Sequence, residues 1–390
     1  MKNISVIIPT YNFVEITSRV INAVLNQTYS PKEIIIIDSS EDEKILKLVD
    51  SLKSSIPIRY HRFNKLYPGE ARNKGVDFSL YEYIAFIDSK TVPSSDWLQI
   101  NTKNLVERNA QVIFGSTQYI ASSDFQQCVK ACTYGNFPLE TTPGTLIQKT
   151  HFKELGGFQE NVRTGDDLAW RLRIKSSALS WINPPDATLS YSELESSLLN
   201  TLKRFFTYQL SAAKLDIQNT PRNIIFAITI IFLSIMILQW NAIVGWEDSF
   251  LYIPNITKIY TLLVFVTTLM VLLINRNFFK NTFGPFISGS LNLVLFITFL
   301  AAAFYWNAGI ANWAEGSELY IPHITKIYLF SILVLSYIYR GLYFPLSHGF
   351  AREKLFPFWW LKVGLIGLIL DLAKAPGFIS GAILKIWNEK

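Results

Sequence analysis

Cysteine, histidine and charge are all scarce in this chain. Two cysteines in 390 residues cannot build a disulfide framework. Cys128 and Cys132 sit one helical turn apart and read as free, reduced thiols on a helix face. Four histidines in no ligand-like spacing argue against a zinc centre. Charged residues make up 17% of the chain, against roughly 25% in a soluble domain. The deficit is uneven: most charge precedes Arg222, and long apolar runs follow it. This excludes a disordered chain and a purely soluble enzyme. The length suits about two domains, one aqueous and one in a membrane. The net charge of +6 suits a membrane surface, and no basic stretch interleaved with aromatics suggests nucleic acid. The opening run Ile4, Val6, Ile7, Ile8 is too short for a signal-peptide core and Pro9 closes it, so the first half is expected in the cytoplasm.

Up to about residue 115 short apolar runs alternate with amphipathic ones. Strands are expected at 5–8, 33–38, 58–63 and 83–88, and helices at 13–26, 41–53, 70–79 and 97–108. The four consecutive isoleucines of 34–37 need apolar cover on both faces. Strand–helix alternation of this kind predicts an α/β domain with a doubly wound, mostly parallel sheet. Ligands bind such sheets at the carboxyl ends of the strands. That rule points at Thr10-Tyr11-Asn12, Asp38-Ser39-Ser40 and Asp88-Ser89-Lys90, polar clusters directly after apolar strands. Asp38 and Asp88 also read individually as helix N-caps; three such clusters on one sheet edge read as a nucleotide pocket.

Five segments then bear a resemblance. Ser5-Val6-Ile7-Ile8-Pro9-Thr10-Tyr11-Asn12 looks like the opening strand of glycosyltransferase family 2, the inverting, nucleotide-sugar-using enzymes of the GT-A fold. Residues 33–42 (EIIIIDSSED) are similar to its second strand and acidic turn, and Pro68-Gly69-Glu70-Ala71-Arg72-Asn73-Lys74-Gly75 to its PGxARNxG helix start. Residues 83–98 (YIAFIDSKTVPSSDWL) resemble the strand carrying its Asp-x-Asp metal motif. Residues 144–158 with Gly165-Asp166-Asp167-Leu168-Ala169-Trp170-Arg171-Leu172-Arg173 resemble its acceptor and base region.

The resemblance implies roles. Pro9, Tyr11 and Asn12 line the donor site, Asp38 reads the base and Arg72 helps hold the nucleotide. Asp88 is the first metal-motif Asp, Asp167 the catalytic base with Asp166 at the preceding acidic position, and Arg173 the basic residue closing that motif. The chemistry fits: a carboxylate takes the acceptor hydroxyl proton as the bond to the anomeric carbon forms, and two adjacent carboxylates raise one pKa. The departing diphosphate needs positive charge. Here the family's divalent ion, Mg²⁺ or Mn²⁺ on Asp88, meets a departure: Lys90 replaces the second Asp. Three alternatives stay open. Lys90 itself neutralises the diphosphate; Asp88 and phosphate oxygens still hold a metal; or activity is lost.

Residues 198, 202, 205 and 206 recur at helical spacing with Lys203, Arg204 and Lys214 on other faces, an amphipathic helix for the leaflet surface or a plain surface helix. Apolar stretches at 223–240, 259–274, 286–305 and 324–339 follow, the first roughly 27 Å long as a helix. Basic residues before the first, between the second and third, and after the fourth make two outward hairpins by the positive-inside rule. The hairpins repeat internally: residues 251–260 (LYIPNITKIY) answer 319–328 (LYIPHITKIY). Residues 358–384 carry Lys362, Asp371 and Lys374 and are interrupted by Ala375-Pro376-Gly377, as two short interfacial or re-entrant helices or a fifth crossing.

The expected organisation is therefore a GT-A catalytic domain at 1–190, an interfacial linker helix at 191–222, an α-helical transmembrane domain of four helices at 223–345, and interfacial helices at 346–390. The expected activity is transfer from a nucleotide-sugar donor to a lipid-linked or glycan acceptor at the cytoplasmic face of the cell membrane, with membrane lipids as partners. A polyprenyl-phosphate glycosyltransferase and a silent nucleotide-sugar-binding protein are the alternatives. The Gln-x-x-Arg-Trp motif of processive members is absent, which favours single-sugar transfer.

Overall fold

The computed structural model describes residues 2–215, 217 and 337–388. The expected rhythm appears in its first half: β1 (Ile4–Thr10), α1 (Val14–Leu25), β2 (Glu33–Asp38), α2 (Lys44–Ser51), β3 (Ile58–Arg62), α3 (Pro68–Phe78), β4 (Tyr83–Phe86), β5 (Thr91–Pro93) and α4 (Trp97–Glu107). The second half continues with β6 (Val112–Tyr119), α5 (Asp124–Thr133), β7 (Leu139–Gln148), α6 (Lys149–Glu154), α7 (Asp166–Ser176), β8 (Trp181–Ile182), β9 (Leu189–Tyr191) and α8 (Leu198–Lys214). The strands form one sheet in the order β3-β2-β1-β4-β7-β6-β9-β5, with β8 beside β6. Successive isoleucines of β2 point to opposite faces, as the period of a strand requires. Ile34 and Ile36 join the core with Val20, Ile21 and Trp97. Ile35 and Ile37 join the opposite core with Phe86, Phe152, Phe158 and Trp170.

The sheet is less parallel than expected. β3, β2, β1 and β4 run parallel, but β7 runs antiparallel to both β4 and β6. Beyond Arg108 strands and helices still alternate, but the chain returns through α5 into a neighbouring, opposed strand. The order 3-2-1-4 nevertheless leaves a switch point between β1 and β4, where a crevice opens at the carboxyl ends of these strands. β9 pairs with β5 and β6, so the sheet continues to Tyr191.

The expected spans at 223–240, 259–274 and 286–305, and that at 324–339 up to residue 336, lie with their repeat outside the described residues. Among the described residues no helix is long and apolar enough to cross a membrane. From residue 337 a π-helical turn (Tyr339–Tyr343) leads into α9 (Phe344–Ser347), α10 (Arg352–Leu355) and α11 (Trp359–Asn388). The expected pair of short helices is one helix that runs through Pro376. Its Val363 and Leu370 pack with Cys128 and Cys132 of α5 and Phe205 of α8. Arg340 clamps this arrangement, bonding both carboxylate oxygens of Asp371 at 2.7 and 2.8 Å and the Cys132 carbonyl at 3.0 Å. Residues 346–388 thus belong with the α/β domain.

Candidate active site

The site is built around one arginine. Arg72 lies one turn into α3, whose start is tied down by Glu70: its carboxylate accepts from the Tyr67 amide at 2.9 Å and, across the crevice, from the Asn161 amide at 2.7 Å. Asn73 exchanges two hydrogen bonds with the Phe158 backbone, both 2.9 Å. Between these two clasps the Arg72 guanidinium reaches Asp88 at 2.7 Å and Asp166 at 2.9 Å. Residues from three separate segments of the chain therefore meet at one buried cation. Burial disfavours the Arg72 charge, but Asp88 and Asp166 outweigh it and raise its pKa.

Asp166 and Asp167 open α7, where the positive end of the helix dipole favours carboxylates. The structure separates their roles. Asp166 is buried and ion-paired. Burial pushes its carboxyl up to about 6, with Asp167 and Asp88 adding to the rise against the pull of Arg72. Asp167 is half-buried. Its main-chain carbonyl accepts from Thr142 at 3.2 Å; among the described residues its carboxylate has no hydrogen-bond or ion-pair partner. One carboxylate of the doublet is locked and its neighbour is open to a ligand.

The crevice floor is a polar web. Asp38 is fully buried. One oxygen accepts from Thr10 at 2.9 Å and from the Ser40 amide and hydroxyl at 3.0 and 2.6 Å; the other accepts from Tyr60 at 2.7 Å. Expected to read the base, Asp38 is in this arrangement enclosed and spends both oxygens on the loops that shape the pocket. Asn12, at φ +56°, is stitched to Ser40 and to the Glu41 amide at 2.8 and 3.1 Å. Tyr11 stands exposed at the mouth and donates to Glu41 at 3.0 Å. Pro9 stays in β1 opposite Ile37. Arg173 does not reach the donor crevice; its guanidinium holds the carbonyls of Leu155 and Gly157. It is a loop clamp, because α7 directs its side chain back along the segment preceding the helix.

In one of the alternatives Asp88 would hold a metal together with phosphate oxygens. Asp88 commits one oxygen to Arg72, Lys90 stands two residues on, and among the described residues no cluster of three His, Cys, Asp or Glu can hold an ion. Lys90 lies with its ammonium 3.5 Å over the Phe13 ring. Sequence reasoning missed a group beside it: Arg204 of α8 points inward, bonding Tyr208 at 2.6 Å and Tyr191 at 3.0 Å. The signal was legible. Thr201 and Phe205 are buried, and Arg204 falls on the same face at helical spacing.

Residues 5–152 match the model of the family described as glycosyl transferase family 2. Similar curated proteins include an "Uncharacterized glycosyltransferase" of Rickettsia bellii (strain RML369-C), 31% identical over 186 residues covering 45% of this chain and 27% of that protein. Poly-beta-1,6-N-acetyl-D-glucosamine synthase of Staphylococcus epidermidis is 25% identical over 211 residues, covering 48% of this chain and 51% of its own length. Among solved structures, S. aureus TarS 1-349 in complex with UDP-GlcNAc is similar with a TM-score of 0.42 at 18% identity, covering 55% of this chain and 67% of that one. The match to the rickettsial relatives spans 27% and 30% of their length. Residues 5–152, within the GT-A-like mixed α/β sheet, are thus similar to the family 2 glycosyltransferases.

Proposed function

We propose that the chain is an inverting glycosyltransferase that moves one sugar from a nucleotide-diphosphate donor to a hydroxyl of a lipid-linked or cell-surface glycan, at the cytoplasmic face of the cell membrane. The observation that carries this reading is the Arg72–Asp88–Asp166 array beside Asp167, whose carboxylate has no partner among the described residues, at the switch-point crevice. The donor lies along the ends of β1 and β4. Asp167 takes the acceptor hydroxyl proton while that oxygen attacks the anomeric carbon from the side opposite the diphosphate. The carbon–oxygen bond to the diphosphate breaks and its electron pair leaves with the phosphate, where side-chain cations balance the growing charge. Arg72 holds Asp88 and Asp166 in place and keeps two anions from repelling the donor.

The membrane setting draws support from the apolar runs at 223–339 with their positive-inside charge pattern. It draws more from α11, where Leu361, Leu365 and Leu372 are exposed on one face while Val363 and Leu370 are buried on the other. A water-facing helix would carry polar residues on that exposed face.

The test uses the full chain in detergent. Nucleotide sugars are screened by thermal shift, and the stabilising donor is offered with membrane lipid extract while release of nucleoside diphosphate is followed. Asp167→Asn is expected to lower turnover by roughly 10²–10⁴-fold with little loss of donor binding, and the product should carry an inverted glycosidic bond. Wild-type turnover in Asp167→Asn would remove the assigned base. A phosphodiester-linked sugar would make the acceptor a polyprenyl phosphate instead.

A further inference from the structure

Arg72, Arg171 and Arg340 are largely buried and neutralised, Arg171 by Glu140 at 3.1 Å. Arg72 has two carboxylates within 2.9 Å, and Arg340 has both oxygens of Asp371. Arg204 differs. Its side chain is 21% exposed, and its nearest carboxylate, Glu195, is 3.7 Å away, beyond hydrogen-bond range. Its donors go to the Tyr208 and Tyr191 hydroxyls and, at 3.5 Å, to the Glu193 carbonyl. These are neutral groups. The Glu193 carboxylate is instead 3.9 Å from Arg19.

A second cation lies at the adjoining strand end: Thr91, the residue after Lys90, pairs with Tyr191, whose hydroxyl accepts from Arg204. Lys90 has no carboxylate in hydrogen-bond range among the described residues, only the Phe13 face at 3.5 Å. Burial and then the Arg204 charge depress its pKa, with Glu193 and Glu195 partly compensating. Arg204 keeps only the long Glu195 ion pair at 3.7 Å, so its desolvation is incompletely compensated, and a second like charge nearby adds to that cost. An arrangement of this kind becomes favourable once an anion with several acceptor oxygens enters. The pair also adjoins the reaction centre. Lys90 is two residues from Asp88, and the Tyr119 ring, stacked on Tyr134 at 4.2 Å, packs at 5.3 Å on Tyr191, the tyrosine that accepts from Arg204.

We infer that Lys90 and Arg204 together form a phosphate-binding subsite that takes the donor diphosphate in place of a divalent metal ion, with Tyr191 and Tyr208 holding the guanidinium in position. The inference rests on the transferase reading above and deepens it. The cation that the family's second carboxylate would recruit is built into the chain, one part on the loop after β4 and the other on α8. α8 is thereby a wall of the donor site as well as a surface element. The same phosphate chemistry would suit a prenyl phosphate acceptor, and the experiment separates the two.

Binding to the full chain in detergent and EDTA is measured by calorimetry. The probes are UDP, GDP, dTDP and CDP, the matching nucleosides, and farnesyl phosphate. Wild type is expected to bind one nucleoside diphosphate without metal. Arg204→Gln and Lys90→Gln should each weaken it about tenfold and leave the matching nucleoside unchanged, which also shows that the variants are folded. Arg204→Lys should recover part of the loss, and Tyr208→Phe should lose about threefold. Diphosphate binding that needs Mg²⁺ or Mn²⁺, or that is unchanged in the variants, overturns the inference and leaves the transferase reading standing. Loss confined to farnesyl phosphate overturns the donor assignment and moves the pair to the acceptor. If no nucleoside or nucleotide binds, the transferase reading falls and this inference with it.

Discussion

Asp166 and Asp167 are neighbours of the same residue type with opposite circumstances, and the difference has a measurable sign. The folded-state pKa of Asp166 is raised from the ordinary 3.8 to about 6 by burial, against Arg72. Between those values the folded chain holds a proton that the unfolded chain has released, so this group's contribution to stability falls as pH rises through that window. Below it both states are protonated, and above it the penalty is complete. Asp166→Asn removes the titration. The variant's Tm relative to wild type should therefore climb from pH 4 to 6 and level off by pH 7. A difference that stays flat across this range would mean that Asp166 is ionised throughout. The sequence put two acids at a helix start, and only the family resemblance ranked them, because an adjacent pair looks symmetric until Arg72, nearly a hundred positions away, takes one of them.

Helix α3 sets where Arg72 stands, and its position depends on a close approach. A Cβ at Gly75 would press into the Ile7 side chain of β1, so only glycine lets the helix lie this near the sheet. Gly75→Ala should cost about 1–3 kcal/mol by overpacking and weaken donor binding by displacing Arg72; equal Tm and equal donor affinity would show that the contact relaxes freely. The same geometry explains why the sequence misled at α11. Ala375-Pro376-Gly377 reads as a breaker because proline lacks an N–H and glycine is flexible. In the fold Gly377 and Gly381 lie against the Phe206 and Leu210 carbonyls of α8, and this helix–helix contact outweighs the local preference. Strands and helices up to residue 108 were legible because burial on both faces leaves a periodic record. The opposed strands β6 and β7 were not, since pairing direction is set by the connection and leaves no such record.

Across the whole molecule, the two cysteines offer a test of orientation. Burial raises the Cys128 thiol to about 11 and Cys132 to about 12, and both lie under the C-terminal helices. Neither should react with a maleimide in intact cells, which makes the wild-type chain a silent background. Glu247→Cys and Glu315→Cys, in the loops expected outside, should label with an impermeant maleimide, and Asp42→Cys only after permeabilisation. Labelling of Asp42→Cys in intact cells would reverse the proposed topology.

By itself the sequence determined the parallel half of the sheet, the crevice at its strand ends and the motif residues that line it, because hydrophobic periodicity and turn chemistry act over a few residues. The tertiary structure decided which of those residues have charge to spare. It enclosed Asp38, turned Arg173 to the loop, paired Arg72 with Asp88 and Asp166, left Asp167 open, and brought Arg204 onto the Tyr191 and Tyr208 hydroxyls. Electrostatic partnership depends on distance in space, and only the folded chain brings residues 72, 88, 166 and 204 within reach of one crevice.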